Sequence, residues 1–352
     1  MEDVKTYLKH YRNYSFDDEK FNEVDNVILS FLSYINFDGI VPKNTSSITV
    51  NDAARLFFSK YSEDEISLNI MAIRKAIELL KLMQNSVRFG NMRLYNYAYN
   101  VDENSQFGAL CCKLDNNTIY ISYEGTDSSI SGWEEDMKLS YMFPTLSQKQ
   151  AIDYLNSVVK FTDKNILVGG HSKGGNLAVV SSMYCKPNIR KKIRCIYNND
   201  GPGLRKSEFE SQNYKEIKDR IKAFVPKESI VGLVLMHDTN YIVVESKAKG
   251  ILQHDGTSWA CYGGHFITCN LSKNSQRYEE NFLAWIKKYD YDKREKFTKS
   301  LFDIFRKAGI NDLVELKSAK IKGALKLITS TKDIDSDTKD MVLDFLKLLM
   351  ID

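Results

Sequence analysis

The sequence has few of the residues that build metal centres and disulfide frameworks. Its 352 residues include six cysteines and five histidines, and the cysteines form no C-x-x-C pair and no repeated spacing. This pattern does not indicate a zinc site, and we expect most thiols to be buried and reduced. Cys111 and Cys112 are adjacent, so on a strand their side chains would face opposite ways. We expect no metal and no cofactor.

Long hydrophobic runs and an excess of one charge are also missing. The longest apolar runs, such as residues 230–236, are far too short to span a bilayer. Lys and Arg number 49 against 46 Asp and Glu, so no basic field favours nucleic acid. The first residues are acidic and polar, unlike a signal peptide. We therefore expect a soluble, cytoplasmic protein that does not bind nucleic acid.

What the chain does contain is an alternation of helical and strand patterns. Helices are predicted near residues 15–36, 51–61, 66–83, 147–161 and 207–220, and strands near residues 92–100, 106–114, 118–124, 166–168, 193–200, 221–225 and 241–244. This order predicts an α/β fold with a mostly parallel central sheet covered on both faces. In such sheets the functional groups gather at the carboxyl ends of the strands.

One strand end carries the pattern Gly170-x-Ser172-x-Gly174. The apolar residues 166–168 precede it and the apolar run 177–180 follows it, which is the strand, tight turn and helix of a nucleophile elbow. The turn strains the backbone of the serine, and larger side chains two residues away would collide with the strand and helix. Ser172 is therefore the candidate nucleophile. The alternative is a glycine-rich turn that binds an anion or nothing.

A serine nucleophile needs a base, and the histidines are few. His10 precedes the predicted fold, and His171 should point away from the nucleophile and pack. His254 lies in the loop after the strand at 241–244 and follows Ser172 in the usual order of elbow enzymes. His254 is the favoured base, with His237 and His265 as alternatives.

The acid that orients this base has several candidates. Asp200 ends the strand after the elbow helix, and Glu228 follows the next strand. Asp255 is adjacent to the candidate base and should be solvated. Both strand-end acids could instead be ordinary loop caps. Asp200 is favoured, and Glu228 is the alternative acid.

The oxyanion formed on attack needs preorganised donors. One is the backbone N–H of Lys173 at the start of the elbow helix, and Gly125-Thr126 offers an N–H and a hydroxyl. The Lys173 side chain is expected to project to solvent.

From residue 274 the composition shifts to four Lys-rich amphipathic helices near residues 278–289, 293–308, 312–328 and 336–350. We therefore expect two units, residues 1–273 with the hydrolase-like core and residues 274–352 as a helical extension. In residues 316–327, lysines interleave with Leu and Ile, as in interfacial helices. This pattern suggests a membrane or protein contact, although an amphipathic helix packed on the core would look the same.

Several segments resemble a known family. Residues 124–136, which read EGTDSSISGWEED, resemble the G-T/S…W…D segment of the class 3 (fungal triacylglycerol) lipases, and Gly170-His-Ser-Lys-Gly-Gly175 is similar to their G-H-S-L-G-G elbow. Residues 21–34, 200–203, 226–232 and 253–255 resemble a bacterial, Mbeg-like branch of the α/β-hydrolase superfamily. The resemblance covers residues 15 to about 270.

The resemblance implies that Ser172 is the nucleophile, His254 the base, and Thr126 and Lys173 the oxyanion hole. In the lipases an aspartate stands where this chain has Ser229, so the acid does not carry over from them. We hypothesise a serine esterase that acts on a lipid-like or small acyl ester or thioester. The alternative is a catalytically silent binding or regulatory protein whose helical tail docks a partner.

Overall fold

A computed structural model describes residues 1–102, 105–126, 130–238, 240–307 and 336–349. The strands are β1 (Glu2–Asp3), β2 (Ile48–Thr49), β3 (Arg93–Val101), β4 (Gln106–Lys113), β5 (Thr118–Tyr123), β6 (Asn165–His171), β7 (Ile193–Asn199), β8 (Ile221–Pro226), β9 (Ile242–Val244), β10 (Ala260–Tyr262) and β11 (His265–Phe266). The α-helices are α1 (Val4–Tyr11), α2 (Glu23–Leu32), α3 (Val50–Lys60), α4 (Glu63–Ser67), α5 (Met71–Met83), α6 (Ile130–Lys138), α7 (Leu146–Val158), α8 (Lys173–Tyr184), α9 (Pro187–Arg190), α10 (Lys206–Phe209), α11 (Gln212–Lys215), α12 (Lys273–Lys288), α13 (Tyr291–Lys307) and α14 (Ser336–Leu349).

An eight-stranded sheet forms the centre of the fold. Its strands follow the chain in the order β2-β3-β4-β5-β6-β7-β8-β9. The pairs from β2 to β5 are antiparallel, and those from β5 to β9 are parallel. The parallel strands therefore bring their carboxyl ends to one edge, where the candidate site residues lie. Strands β1, β10 and β11 form a second, small sheet.

The two faces of the sheet bury separate apolar clusters, because successive side chains on a strand point to opposite faces. Helices α1, α2, α3 and α5 cover one face, and α7 and α8 contribute to the cluster on the other. Cys112 belongs to the first cluster and Cys111 to the second, as their adjacency predicts. All six cysteines are free thiols. The predicted α/β fold, with helices on both faces of the sheet, is confirmed.

The predicted helix at residues 15–36 is shorter than expected. It begins at Glu23, because the Asn22 side chain accepts hydrogen bonds from the N–H groups of Val24 and Asp25 while the Asp25 carboxylate accepts the Asn22 N–H. This capping box places the helix start eight residues later than the sequence predicted.

Two other predicted helices are interrupted. The segment at 66–83 is divided into α4 and α5, and Ser62 caps α4 through its own capping box. The segment at 207–220 forms only the four-residue helices α10 and α11 and a short 3-10 turn. The spacing of apolar residues predicted which segments contain helix, but it did not predict where those helices are interrupted.

The C-terminal helices pack against the core through an apolar cluster of their own. Trp285 of α12 and Phe297 of α13 are buried there, together with Leu139 and Leu235 from outside the C-terminal helices. The predicted helix at 312–328, with its Lys and Leu pattern, lies outside the described residues. None of the described helices is both long and apolar enough to cross a membrane. The division at residue 273 stays a prediction.

Candidate active site

Ser172 lies at a tight turn and has a backbone conformation that residues with side chains rarely adopt. It follows the last residue of β6 and caps α8, with φ 58° and ψ −134°. Such a conformation costs on the order of 1–3 kcal/mol, which the surrounding structure must offset. A Cβ on Gly174 would lie 2.2 Å from the Tyr123 carbonyl oxygen, and one on Gly170 2.3 Å from the Gly174 carbonyl carbon. The turn therefore requires glycine at both positions.

Asp200 has the equivalent position at the end of the neighbouring strand. The parallel register pairs His171 of β6 with Asn199 of β7, so the next residues, Ser172 and Asp200, lie side by side at the sheet edge. The Ser172 N–H donates to the Asn199 carbonyl at 2.9 Å, which ties the two strand ends together. Asp200 also has a positive φ, 51°. Both candidate residues thus lie in strained turns at the carboxyl edge of the sheet.

The Asp200 carboxylate contacts the candidate base. Its Oδ2 lies 2.6 Å from His254 Nδ1, and its Oδ1 accepts hydrogen bonds from the Ser229 hydroxyl at 2.5 Å and the Gly232 N–H at 3.1 Å. An ionised carboxylate only accepts hydrogen bonds, so the proton is on Nδ1 and Nε2 of the neutral ring is an acceptor. Asp200 is 1% exposed, so its carboxylate is shielded from water. Ser229, which stands where the lipases have their acid, holds Asp200 instead.

Glu228, the alternative acid, has a different set of contacts. Its carboxylate accepts the Gly250 N–H at 2.6 Å and the Gln253 side-chain amide at 2.6 Å. Both donors belong to the 3-10 turn Gly250–His254. Glu228 therefore braces the turn that carries the candidate base, while Asp200 contacts its ring.

The remaining candidates lie in other environments. Asp255 accepts hydrogen bonds from the Thr257 N–H and hydroxyl, at 3.0 and 2.7 Å. His237 pairs with Glu279 of α12 at 3.2 Å, and the side chain of His265 is 78% exposed. Asp255 therefore holds a turn, His237 joins the core to a C-terminal helix, and His265 faces solvent.

His171 is buried beside the candidate base. Its Nε2 lies 2.6 Å from the His254 carbonyl oxygen, and its Nδ1 lies 2.9 Å from the Tyr34 hydroxyl. A carbonyl only accepts, so Nε2 carries the proton and Nδ1 accepts from Tyr34. Burial, with a smaller contribution from His254, holds the pKa of His171 well below its usual value. A neutral His171 therefore anchors the backbone of His254, in addition to packing as the sequence predicted.

The loop after β5 carries the first candidate oxyanion donor. The Thr126 hydroxyl donates to Asp136 Oδ2 of α6 at 2.7 Å. A hydroxyl has one proton, so in this arrangement the hydroxyl is engaged and the backbone N–H of Thr126 is the donor that the loop offers. Asp136 is the last residue of the segment 124–136 that resembles the lipases, so this contact joins the two ends of that segment.

The expectation that the Lys173 side chain projects to solvent is wrong. Lys173 is 1% exposed, and its ammonium donates to the Gln106 carbonyl at 2.9 Å and the Gln106 side-chain oxygen at 3.0 Å. It also pairs with Glu135 Oε2 at 3.3 Å, and Glu135 Oε1 accepts the Ser147 N–H. Three oxygen partners offset part of the cost of burying the ammonium. Its backbone still begins α8, as predicted.

Sequence reasoning missed three residues around the site, Tyr34, Gln106 and Glu135, and assigned no role to Ser229. The lysine next to the serine was the signal that could have indicated Gln106 and Glu135, because a cation packed under a tight turn needs a counter-ion and hydrogen-bond acceptors. Glu135 is 38 positions and Gln106 67 positions away in sequence, so no local spacing connects them to Lys173. In the described part of the chain, no cluster of three or more His, Cys, Asp or Glu side chains could hold a metal ion.

A mostly parallel sheet with a strained serine between a central strand and the following helix defines the α/β-hydrolase fold. Within that fold, the chain belongs to the Mbeg1-like family, whose model matches residues 83–303. A search of solved structures finds the crystal structure of M37 lipase at 14% identity and a TM-score of 0.33, over 60% of this chain and 70% of that chain. A search of curated proteins finds no match.

The family match and the resemblance noted in the sequence cover different ranges of the chain. Sequence analysis placed the resemblance at residues 15 to about 270, whereas the model begins at residue 83 and reaches residue 303. Helix α12 and most of α13 are therefore part of the family's common region. The match does not test the predicted division of the chain at residue 273, which stays a prediction.

Proposed function

We propose that this protein is a serine hydrolase that cleaves a carboxylic ester or thioester through an acyl-enzyme. Ser172 is the nucleophile, His254 the base and Asp200 the acid. The observation that carries the proposal is the 2.6 Å contact between Asp200 and His254 Nδ1, made at the sheet edge where Ser172 occupies a strained turn. The ring of His171, directly before Ser172, lies 4.6 Å from the His254 ring, which supports the proximity of nucleophile and base.

The proposed reaction has two halves. His254 Nε2 accepts the proton of the Ser172 hydroxyl as its oxygen attacks the acyl carbon, and Asp200 stabilises the imidazolium that forms. The tetrahedral intermediate collapses, the bond to the leaving group breaks, and His254 returns the proton to the leaving oxygen or sulfur. A water molecule, deprotonated by His254, then hydrolyses the acyl-enzyme and restores Ser172.

Two backbone N–H groups are proposed to bind the oxyanion. The N–H of Lys173 is the first of α8, and such groups have no partner within their own helix. The N–H of Thr126 comes from the loop that the Asp136 contact holds in place. Removing one such donor costs roughly 3–4 kcal/mol of transition-state stabilisation in other hydrolases. A lipid-like or small acyl substrate is proposed from the resemblance to lipases.

The test is covalent labelling with a fluorophosphonate probe, followed by peptide mapping. We expect the wild-type protein to be labelled on Ser172 and Ser172→Ala to remain unlabelled. Ser246→Ala is the matched control, because among the described residues the Ser246 hydroxyl hydrogen-bonds with Ser258 and the Ala248 N–H, neither of which is assigned to the proposed site. It should be labelled at the wild-type rate.

Equal labelling of wild type and Ser172→Ala would refute the proposed nucleophile. If folded wild-type protein is not labelled at all, the catalytically silent binding protein becomes the better hypothesis. A contact with a membrane or a partner protein through residues 274–352 stays a hypothesis. Liposome flotation with and without these residues tests it, and equal partitioning would contradict the membrane contact.

A further inference from the structure

We propose that Gln106, held by the Lys173 ammonium, is a positioning residue that fixes the direction of the Thr126 N–H in the oxyanion hole. The inference rests on the proposed function and adds residues that are not part of the triad. It explains why a lysine side chain is buried directly behind the nucleophile, where an apolar side chain would fill the space without the cost of burying a charge.

The first step concerns the peptide between Gly125 and Thr126. The Gln106 side-chain amide donates to the Gly125 carbonyl at 3.1 Å. In a trans peptide the C=O and the following N–H point in opposite directions and lie in one plane. Holding the Gly125 carbonyl therefore also fixes where the Thr126 N–H points. Glycine restricts its own backbone least, so this peptide needs an external anchor more than others do.

The second step concerns the orientation of the Gln106 amide. A glutamine amide can flip and exchange its donor for its acceptor. The Lys173 ammonium has only donors, and it lies 3.0 Å from Gln106 Oε1 and 2.9 Å from the Gln106 carbonyl. The flipped amide would place an NH₂ group against the ammonium. Lys173 therefore keeps the oxygen toward itself and the NH₂ toward Gly125.

The third step concerns charge and the second donor. Glu135 balances the ammonium through Oε2 and also accepts the Gln106 N–H at 3.3 Å. The backbone N–H of Lys173 is the other proposed oxyanion donor, so one residue supplies one donor and, through Gln106, orients the other. Lys173, Gln106 and Glu135 are all almost fully buried, which keeps water from competing for these contacts.

The experiment compares steady-state hydrolysis of a p-nitrophenyl ester by three variants. Gln106→Met removes the donor to Gly125 and keeps the side-chain size. Gln106→Glu with Glu135→Gln keeps volume and net charge but replaces that donor with an acceptor. Gln148→Met is the control, because Gln148 is a buried glutamine whose amide donates to Asn176 of α8, outside the oxyanion loop.

We expect both Gln106 variants to lower kcat by roughly 10- to 100-fold with KM within about threefold, since a misdirected oxyanion donor weakens binding of the transition state more than of the substrate. Their rate of fluorophosphonate labelling should fall in parallel, because phosphonylation of Ser172 uses the same donors. Gln148→Met should keep kcat within about threefold. If Gln106→Met does not fold, the charge-swapped variant carries the test.

Two failures are distinguishable. Hydrolysis by Ser172→Ala at the wild-type rate would overturn the proposed function. Hydrolysis that depends on Ser172 but is no slower in either folded Gln106 variant than in Gln148→Met would overturn the positioning role alone. A loss of kcat that Gln148→Met shares at equal thermal stability would also overturn it, because the effect would then be general packing.

Discussion

Replacing Asp200 with asparagine tests the acid and the tautomer of the base in one change. The oxygen of the introduced amide can still accept from the Ser229 hydroxyl and the Gly232 N–H, which lie 2.5 and 3.1 Å from Oδ1 in the native protein. The NH₂ group then faces His254 Nδ1, which must become an acceptor. The ring proton moves to Nε2, and His254 can no longer accept the proton of Ser172.

The size of the effect follows from what is lost. The variant retains Ser172 and both oxyanion donors, but it loses the correct tautomer and the charge that stabilises the imidazolium. In serine proteases the same change lowers kcat by about 10⁴-fold. At 1.36 kcal/mol per factor of ten, that corresponds to roughly 5 kcal/mol of transition-state stabilisation. The contact is short and the carboxylate is buried, so we expect a loss of about 10³- to 10⁴-fold in kcat.

The assay is the kcat for a p-nitrophenyl ester, normalised to correctly folded protein by circular dichroism and thermal melting. Glu228→Gln is the matched control. A glutamine oxygen can still accept the Gly250 N–H, so the turn before His254 keeps that contact and kcat should stay within about tenfold of wild type. The two variants remove one carboxylate each from neighbouring strand ends.

The reasoning would be refuted if Asp200→Asn kept more than a tenth of the wild-type kcat. It would also be refuted if Glu228→Gln lost as much as Asp200→Asn does. The second result would mean that the side chain in contact with His254 in this structure is not the acid that acts in turnover.

Three further predictions concern the scaffold around the site. Gly174→Ala would place a Cβ 2.2 Å from the Tyr123 carbonyl oxygen, so we expect lost fluorophosphonate labelling or a melting temperature lowered by several degrees, and a variant with neither effect would contradict the packing argument. Burial lowers the pKa of His171 below 6.5, so the unfolded chain takes up its proton first and the free energy of unfolding falls as the pH drops below about 6.5. Urea titrations at two pH values should show that the free energy of unfolding of His171→Gln falls less with decreasing pH than that of the wild type, by at most about 1.4 kcal/mol per pH unit. An equal dependence on pH in the two proteins would contradict this. Arg88→Met leaves the fully buried Asp25 carboxylate without its cationic partner and should cost about 3–5 kcal/mol of unfolding free energy. Adding Asp25→Asn should recover most of this loss, and no recovery would show that the pair itself stabilises the fold.

Local patterns were sufficient for the fold class and for the turn at Ser172. Alternation of apolar residues predicted β3, β4 and β5 to within about two residues at each end, because strand periodicity depends on nearest neighbours in the chain. The strand, turn and helix around Ser172 followed from the glycines, whose lack of a side chain is a local steric requirement. Helix starts were less predictable, since the Asn22 capping box begins α2 at Glu23 although the predicted helix began near residue 15.

Contacts between distant segments needed the tertiary structure. The sequence could not separate Asp200 from Glu228, because both follow a strand and both have plausible local roles. The register of β6 with β7 and the turn Gly250–His254 together decide which carboxylate contacts His254, 54 positions from Asp200 in the chain. The buried position of Lys173 was decided in the same way.

The sequence by itself therefore determined the α/β class, the parallel strand ends and the strained turn at Ser172, each of which depends on residues a few positions apart. Only the tertiary structure decided which acid contacts His254, and that the lysine beside Ser172 is buried with Gln106 and Glu135. The physical reason is that burial and ion pairing depend on which side chains from distant segments lie next to a residue in the fold. The local pattern of residues along the chain does not specify those partners.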